Sequence, residues 1–128
     1  MQVALVEKQP GLFVAKLGKE YNFATIIYPN VNVSRFVQIG EGAIIYPGVI
    51  LTVNTKIGNH VIISGNCGIG QDTVIGDYSS VLWGSNLSGY DIVGEGCLIG
   101  VGTKVIQGID INEESKISAG ITVLEDVK

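Results

Sequence analysis

The sequence predicts an all-β fold, a parallel β-helix of six-residue repeats running from about residue 25 to the C-terminus. The first observation is a column of large aliphatics. From Ile27, stepping by six, the chain reads Ile27, Val33, Ile39, Ile45, Leu51, Ile57 and onward to Val123, 17 positions filled only by Ile, Val or Leu. The second is a column four residues further on. It begins Val31, Val37, Ala43, Val49, Thr55 and continues in mostly small or β-branched residues, with Asp91 its one real offender. A helix cannot give a period of six, and strand alternation gives two. Repetition at this period is the mark of a β-helix.

Each repeat reads as a short strand and a tight turn. Gly often follows the main column directly, at Gly40, Gly58, Gly70, Gly76, Gly94 and Gly100, and is expected there for the backbone freedom of the turn. Three repeats close a triangular coil of 18 residues, so residues 18 apart stack, and the repeats give between five and six coils. Before them, residues 1–25 form a short leading segment. Within it the stretch from Pro10 to Gly18 has Pro near its start and Gly at its end, which suits a short capping helix. The β-helix domain is then 26–128. At the far end Glu125, Asp126 and Lys128 charge the last strand edge, which discourages pairing with another chain.

Tyr46, Ile62, Tyr78, Leu82 and Trp83 fall off both inward columns. Association through a flat face, most simply in a symmetric homo-oligomer, would cover them.

Composition excludes several functions. Net charge is −4 and the eight basic residues are scattered, so a nucleic-acid partner is not expected. No apolar run approaches the roughly 20 residues of a spanning helix. Met1 leads into Gln2 and a short apolar stretch containing Glu7, which is no secretory leader. A cytoplasmic, soluble protein is the expectation.

Cys67 and Cys97 both fall in the small inward column and lie 30 residues apart, on different faces, so they read as core residues and not as a disulfide. His60 is the single histidine, and a catalytic zinc site takes three protein ligands, so no metal is expected. Three residues past Ile57, His60 falls at a turn, one coil below Tyr78, and reads as solvent-facing.

Several segments carry a resemblance: 39–49 (IGEGAIIYPGV), 73–77 (TVIGD), 100–108 (GVGTKVIQG) and 117–123 (ISAGITV). They resemble the hexapeptide acyltransferases, and most of all the sugar O-/N-acyltransferases that include sialic acid O-acetyltransferases. Residues 23–30 (FATIIYPN) are similar to the segment by which that family enters its β-helix from a leading α/β domain. The resemblance covers about residues 20–127. It implies a left-handed coil, a short N-terminal α/β remnant, a homotrimer, acetyl-CoA as donor and a cleft between subunits.

In that family a His acts as general base on the acceptor, because a hydroxyl is a poor nucleophile until a group with pKa near 7 takes its proton. The matching string here is 70–77 (GQDTVIGD), with Gln71 where the base should stand and Asp72 beside it. A second family His corresponds to Ser80, and a basic residue near the C-terminus is matched by Glu125. The leading domain is reduced to some 25 residues. For the donor, the resemblance implies that pantetheine lies along Gly84, Gly102, Thr103, Ala119 and Gly120, with Lys104 and Lys116 nearest the phosphates.

Two functions follow. One is an acetyl-CoA-dependent acyltransferase acting on a sugar or nucleotide-sugar amine or hydroxyl, with Gln71, Asp72 and Ser80 orienting the acceptor. The alternative is a catalytically inactive trimer kept as a binding or scaffolding module, motivated by the missing base. Ice binding would need a flat ladder of Thr on one face, and the six threonines form none.

Overall fold

The computed structural model describes residues 23–128. Seventeen two-residue strands, one per repeat, form three parallel sheets of six, six and five strands. The first face stacks Ile26–Ile27, Ile44–Ile45, Ile62–Ile63, Ser80–Val81, Leu98–Ile99 and Lys116–Ile117. The second starts at Asn32–Val33 and ends at Thr122–Val123; the third starts at Gln38–Ile39 and ends at Asp110–Ile111. Every pair is in register at 18 residues, as in Ile44↔Ile62 and Lys56↔Val74. The described chain is therefore a parallel β-helix, consistent with the left-handed coil that the resemblance implies, with no α-helix among its residues. The stretch expected to cap it as a helix, residues 10–18, lies outside the described residues.

From Ile45 to Val123 every member of the main column is buried. Ile27 and Val33 in the first coil are exposed, as is Ile121 (45% exposed) in the last, because an end coil is covered from one side only. Two serine hydroxyls of the second column bond to the neighbouring coil. Ser79 Oγ donates to Gly94 O (2.7 Å) and accepts from Cys97 N (2.9 Å), and Ser85 Oγ donates to Gly100 O (2.8 Å). A serine hydroxyl thus fits the narrow corner with its bonds met at Ser79 and Ser85.

The glycines after the main column have a different reason from the one expected. None of them has a positive φ. They are glycine because the next coil leaves no room: a Cβ on Gly76 would stand 2.7 Å from Glu95 N, and one on Gly70 would stand 2.4 Å from Gly89 N. The left-handed conformation sits two residues later, at Gly42, His60 and Tyr78 on one corner and at Gly48, Asn66 and Gly84 on another. Bulky residues there accept a strained backbone, at a cost of about 1 kcal/mol each.

Candidate functional site

The three corners carry different chemistry. Where the first face turns into the second, Gly84, Gly102 and Gly120 stack one above another, with φ of 69°, 69° and 74°. Their N–H groups bond to the corner below, to the carbonyls of Gly65, Trp83 and Val101. A Cβ on any of the three would meet nothing within 4 Å, so the column opens outward onto free space. Ala119 and Val101 are exposed beside it, and Lys104 and Lys116 stand exposed on the flanking strands of the second and first faces. Trp83, 52% exposed, lays its indole against Gly65 one coil down, where a Cβ would be only 2.4 Å from Cη2. Thr103 does not join this groove. It points inward, fully buried, with its hydroxyl donated to Gly100 O at 2.8 Å, so it braces the corner from inside.

Where the second face turns into the third, Gln71 and Asp72 project together, both half-buried. The Asn54 amide donates to Asp72 Oδ1 from the coil below. On the coil above, Gly89 lies over the Gln71 carboxamide and Tyr90 N donates to Gln71 O at 2.8 Å. These two neighbours escaped notice in the sequence, although the 18-residue step from Gln71 and Asp72 leads straight to them. Ser80 is not at this corner. It sits on the first face between Ile62 and Leu98. The nine residues separating it from Gln71 are half a coil, and half a coil is the far side of the prism. One chain therefore brings Gln71 to Asp72 but keeps Ser80 and the open glycine corner away from them.

The third corner holds His60, which is not solvent-facing. It is 7% exposed, stacked on Tyr78 (ring centroids 5.3 Å) and met edge-on by Phe23 (5.2 Å), with Nδ1 against Gly42 and without a hydrogen-bond partner. The expected stacking with Tyr78 holds; what buries the ring is Phe23 and the missing side chain at Gly42. Burial lowers the His60 pKa, while Glu41 and Asp77 pull it upward. A depressed folded value means a contribution that is complete above the ordinary pKa of 6.5 and is lost as pH falls through the folded value. The melting temperature is expected to fall as the pH drops below the ordinary value of 6.5, and less so in His60→Asn, which keeps a residue tolerant of the left-handed backbone. Parallel curves for the two proteins would refute the assignment.

Cys67 and Cys97 are buried free thiols, and burial raises both pKa values, so neither serves as a nucleophile. A depression at the C-terminal end of the third face is lined by Glu95, Asp110, Glu113 and Asp126 against the single cation Lys128, a charge set unsuited to phosphate. Among the described residues no helix is long and apolar enough to cross a membrane, and no three of His, Cys, Asp or Glu gather as a metal site.

No family model matches the sequence, and no curated protein does. The fold does match solved structures. A histidine-to-alanine variant of GDP-perosamine N-acetyl transferase from Caulobacter crescentus, in complex with CoA and GDP-perosamine, has a TM-score of 0.89 and 29% identity over 93% of this chain and 59% of that one. A histidine-to-asparagine variant of the same enzyme, with the same two molecules bound, gives 0.66 and 26% over 93% and 59%. AntD, an N-acyltransferase from Bacillus cereus in complex with dTDP and coenzyme A, gives 0.72 at 14% identity over 89% and 80%, a likeness of fold alone. The structural neighbours are hexapeptide-repeat sugar N-acyltransferases. This chain spans about three-fifths of the length of the Caulobacter enzyme.

Proposed function

We propose that this chain is an acetyl-CoA-dependent acyltransferase that acylates an amine, or less readily a hydroxyl, of a sugar or nucleotide sugar, and that it works as a homotrimer. The observation that carries the reading is the open corner at Gly84, Gly102 and Gly120, flanked by two exposed lysines, on a fold whose Caulobacter relative holds CoA and a nucleotide sugar. The corner fits the donor. A slender pantetheine arm needs close backbone approach, which glycine allows, and Lys104 and Lys116 offer point charges for its phosphates. When bound, the donor supplies an acyl group activated as a thioester.

The separation of corners supports an assembly of several copies, for which the trimer is our proposal. Gln71 and Asp72 stand apart from the glycine groove within one chain, so a cleft between two copies is what would bring them together. Exposed Trp83, Leu98 and Val101 around the first face and its glycine corner provide apolar area for that contact. Ser80, on the same face, would line the cleft from the neighbouring copy.

Gln71 cannot take a proton at neutral pH, which favours an amine acceptor that is already nucleophilic. Holding that amine against the thioester supplies much of the acceleration by positioning. The Gln71 carboxamide orients it; as the C–N bond forms and the C–S bond breaks, Asp72 would take the amine proton and the departing CoA thiolate would take up a proton, leaving an amide and the free thiol. Two variants of the Caulobacter enzyme lacking a histidine still hold CoA and GDP-perosamine, so binding in that relative does not depend on that histidine. The charged donor does not cross membranes unaided, which supports the cytoplasm as the place of the reaction.

The test is thiol release from acetyl-CoA in the presence of nucleotide-linked amino sugars. The rate should climb with pH as the acceptor amine deprotonates and then level off. Release that is flat with pH, or absent with every amino sugar, would favour the scaffolding alternative to which the missing base points.

A further inference from the structure

One charged residue occupies the inside of the coil among the described residues. Asp91 sits in the second inward column, 0% exposed, on the rung directly above Thr73. Its Oδ1 accepts the Ile109 N–H at 2.7 Å. Burial raises the pKa of this carboxyl, while the Ile109 bond and the nearby N–H groups of Gly89, Ser88 and Gly108 pull it back down; those of Ser88 and Gly108 are already donated, to Val105 O and Gly89 O. No donor reaches hydrogen-bond geometry at Oδ2, and Thr73 Oγ1 is likewise unpartnered. Elsewhere the column is filled by Val, Ala, Ile, Ser, Thr or Cys, all of which cost less to bury than a carboxylate. A carboxylate buried here costs more than a hydroxyl unless it holds something a hydroxyl cannot.

What it faces is an irregular turn. At Phe36, Asn54, Asp72 and Gly108 the corner between the second and third faces uses a single left-handed residue. On the Asp91 coil two come in succession, Gly89 (φ 123°) and Tyr90 (φ 54°). That second left-handed residue brings the Gly89 Cα flat against the Gln71 carboxamide: a Cβ there would stand 2.9 Å from Nε2, 3.0 Å from Cδ and 3.1 Å from Oε1. The turn that Asp91 faces is thus the surface on which the Gln71 side chain lies.

We propose that Asp91 is a positioning residue whose buried carboxylate holds the Ser88–Gly89–Tyr90 bend in this form and, through Gly89, fixes the direction of the Gln71 carboxamide. Only its kinetic consequence rests on the transferase reading.

The experiment is amide NMR on the full-length, ¹⁵N-labelled protein, following the Gln71 side-chain NH₂ pair, assigned by its loss in Gln71→Glu, and the Gly89 N–H. Asp91→Ser installs the hydroxyl that the column uses at Ser79 and Ser85. Asp91→Asn keeps the shape and the acceptor that Ile109 N–H uses, but replaces the other oxygen with an NH₂ group that cannot accept. Cys97→Ser, in the same column at another corner, is the control. Both Asp91 variants should move the Gln71 and Gly89 signals, Asp91→Ser further, while Cys97→Ser leaves them in place. Where acyl transfer is measurable, kcat should fall roughly ten- to hundredfold in Asp91→Ser with KM for acetyl-CoA unchanged. Either folded Asp91 variant with unmoved Gln71 and Gly89 signals overturns the proposal, and the isosteric Asn variant decides the matter if the Ser variant does not fold. Signals that move in a protein transferring no acyl group would sink the transferase reading and leave the positioning intact.

Discussion

Gln71→His is expected to raise acyl transfer about 10²–10⁴-fold, the range that a positioned general base contributes. The corner already offers what an imidazole needs: a half-exposed turn beside Asp72, under Gly89 and Tyr90. An imidazole there keeps a pKa near 6.5 if water still reaches it. The gain should therefore appear above about pH 6.5, where the ring is neutral and can accept a proton. It should be larger for hydroxyl acceptors than for amines, since a hydroxyl depends more on having its proton removed. KM for acetyl-CoA should not change, because the glycine groove lies on a different corner. Gln71→Asn, which offers no base, serves as control. A Gln71→His protein that binds acetyl-CoA but gains nothing on any acceptor would show that this corner does not meet the acceptor.

The second large effect concerns the fold. Ile63 is fully buried at the centre of the main column. Ile63→Ala is expected to cost about 2–5 kcal/mol, because tightly stacked rungs above and below limit collapse into the space left. Ile63→Asp should abolish the cooperative melt, since an isolated carboxylate would stand among aliphatics with no donor facing it. Ile121→Asp, in the second column but 45% exposed, should stay within about 0.5 kcal/mol of the parent, as surface changes usually do. Thermal melts of the three variants rank the sites. Equal losses at Ile63 and Ile121 would contradict the burial gradient along the solenoid.

The period of six made much of this molecule legible. Counting by 18 gives the face, the rung and the stacking partner of each residue, so the pairing of His60 with Tyr78 and the separation of the two cysteines could be read directly. The same count puts Thr103 in the inward column, which conflicts with its place in a ligand groove. That place came from family likeness, and the count was the better guide. It also puts Gln71 and Ser80 half a coil apart, so their likeness to two family histidines never implied contact within one chain. What the period cannot give is how close neighbouring coils come, or what lies across a corner. The glycines after the main column answer to backbone crowding, and His60 is buried by Phe23 and by the bare Cα of Gly42. Asp91 looked like an error in the pattern. Its burial shows that the column accepts a carboxyl group where a backbone N–H, that of Ile109, meets one of its oxygens.

The most direct test of the transferase reading is calorimetric titration of acetyl-CoA into the protein, with the oligomer measured in parallel by light scattering. Micromolar binding at about one site per chain is expected, with loss of that binding in a folded Gly102→Leu variant whose side chain would fill the open corner. No heat from an intact trimer would mean that the open glycines serve only the turns of the coil, and the chain would then stand as a scaffold.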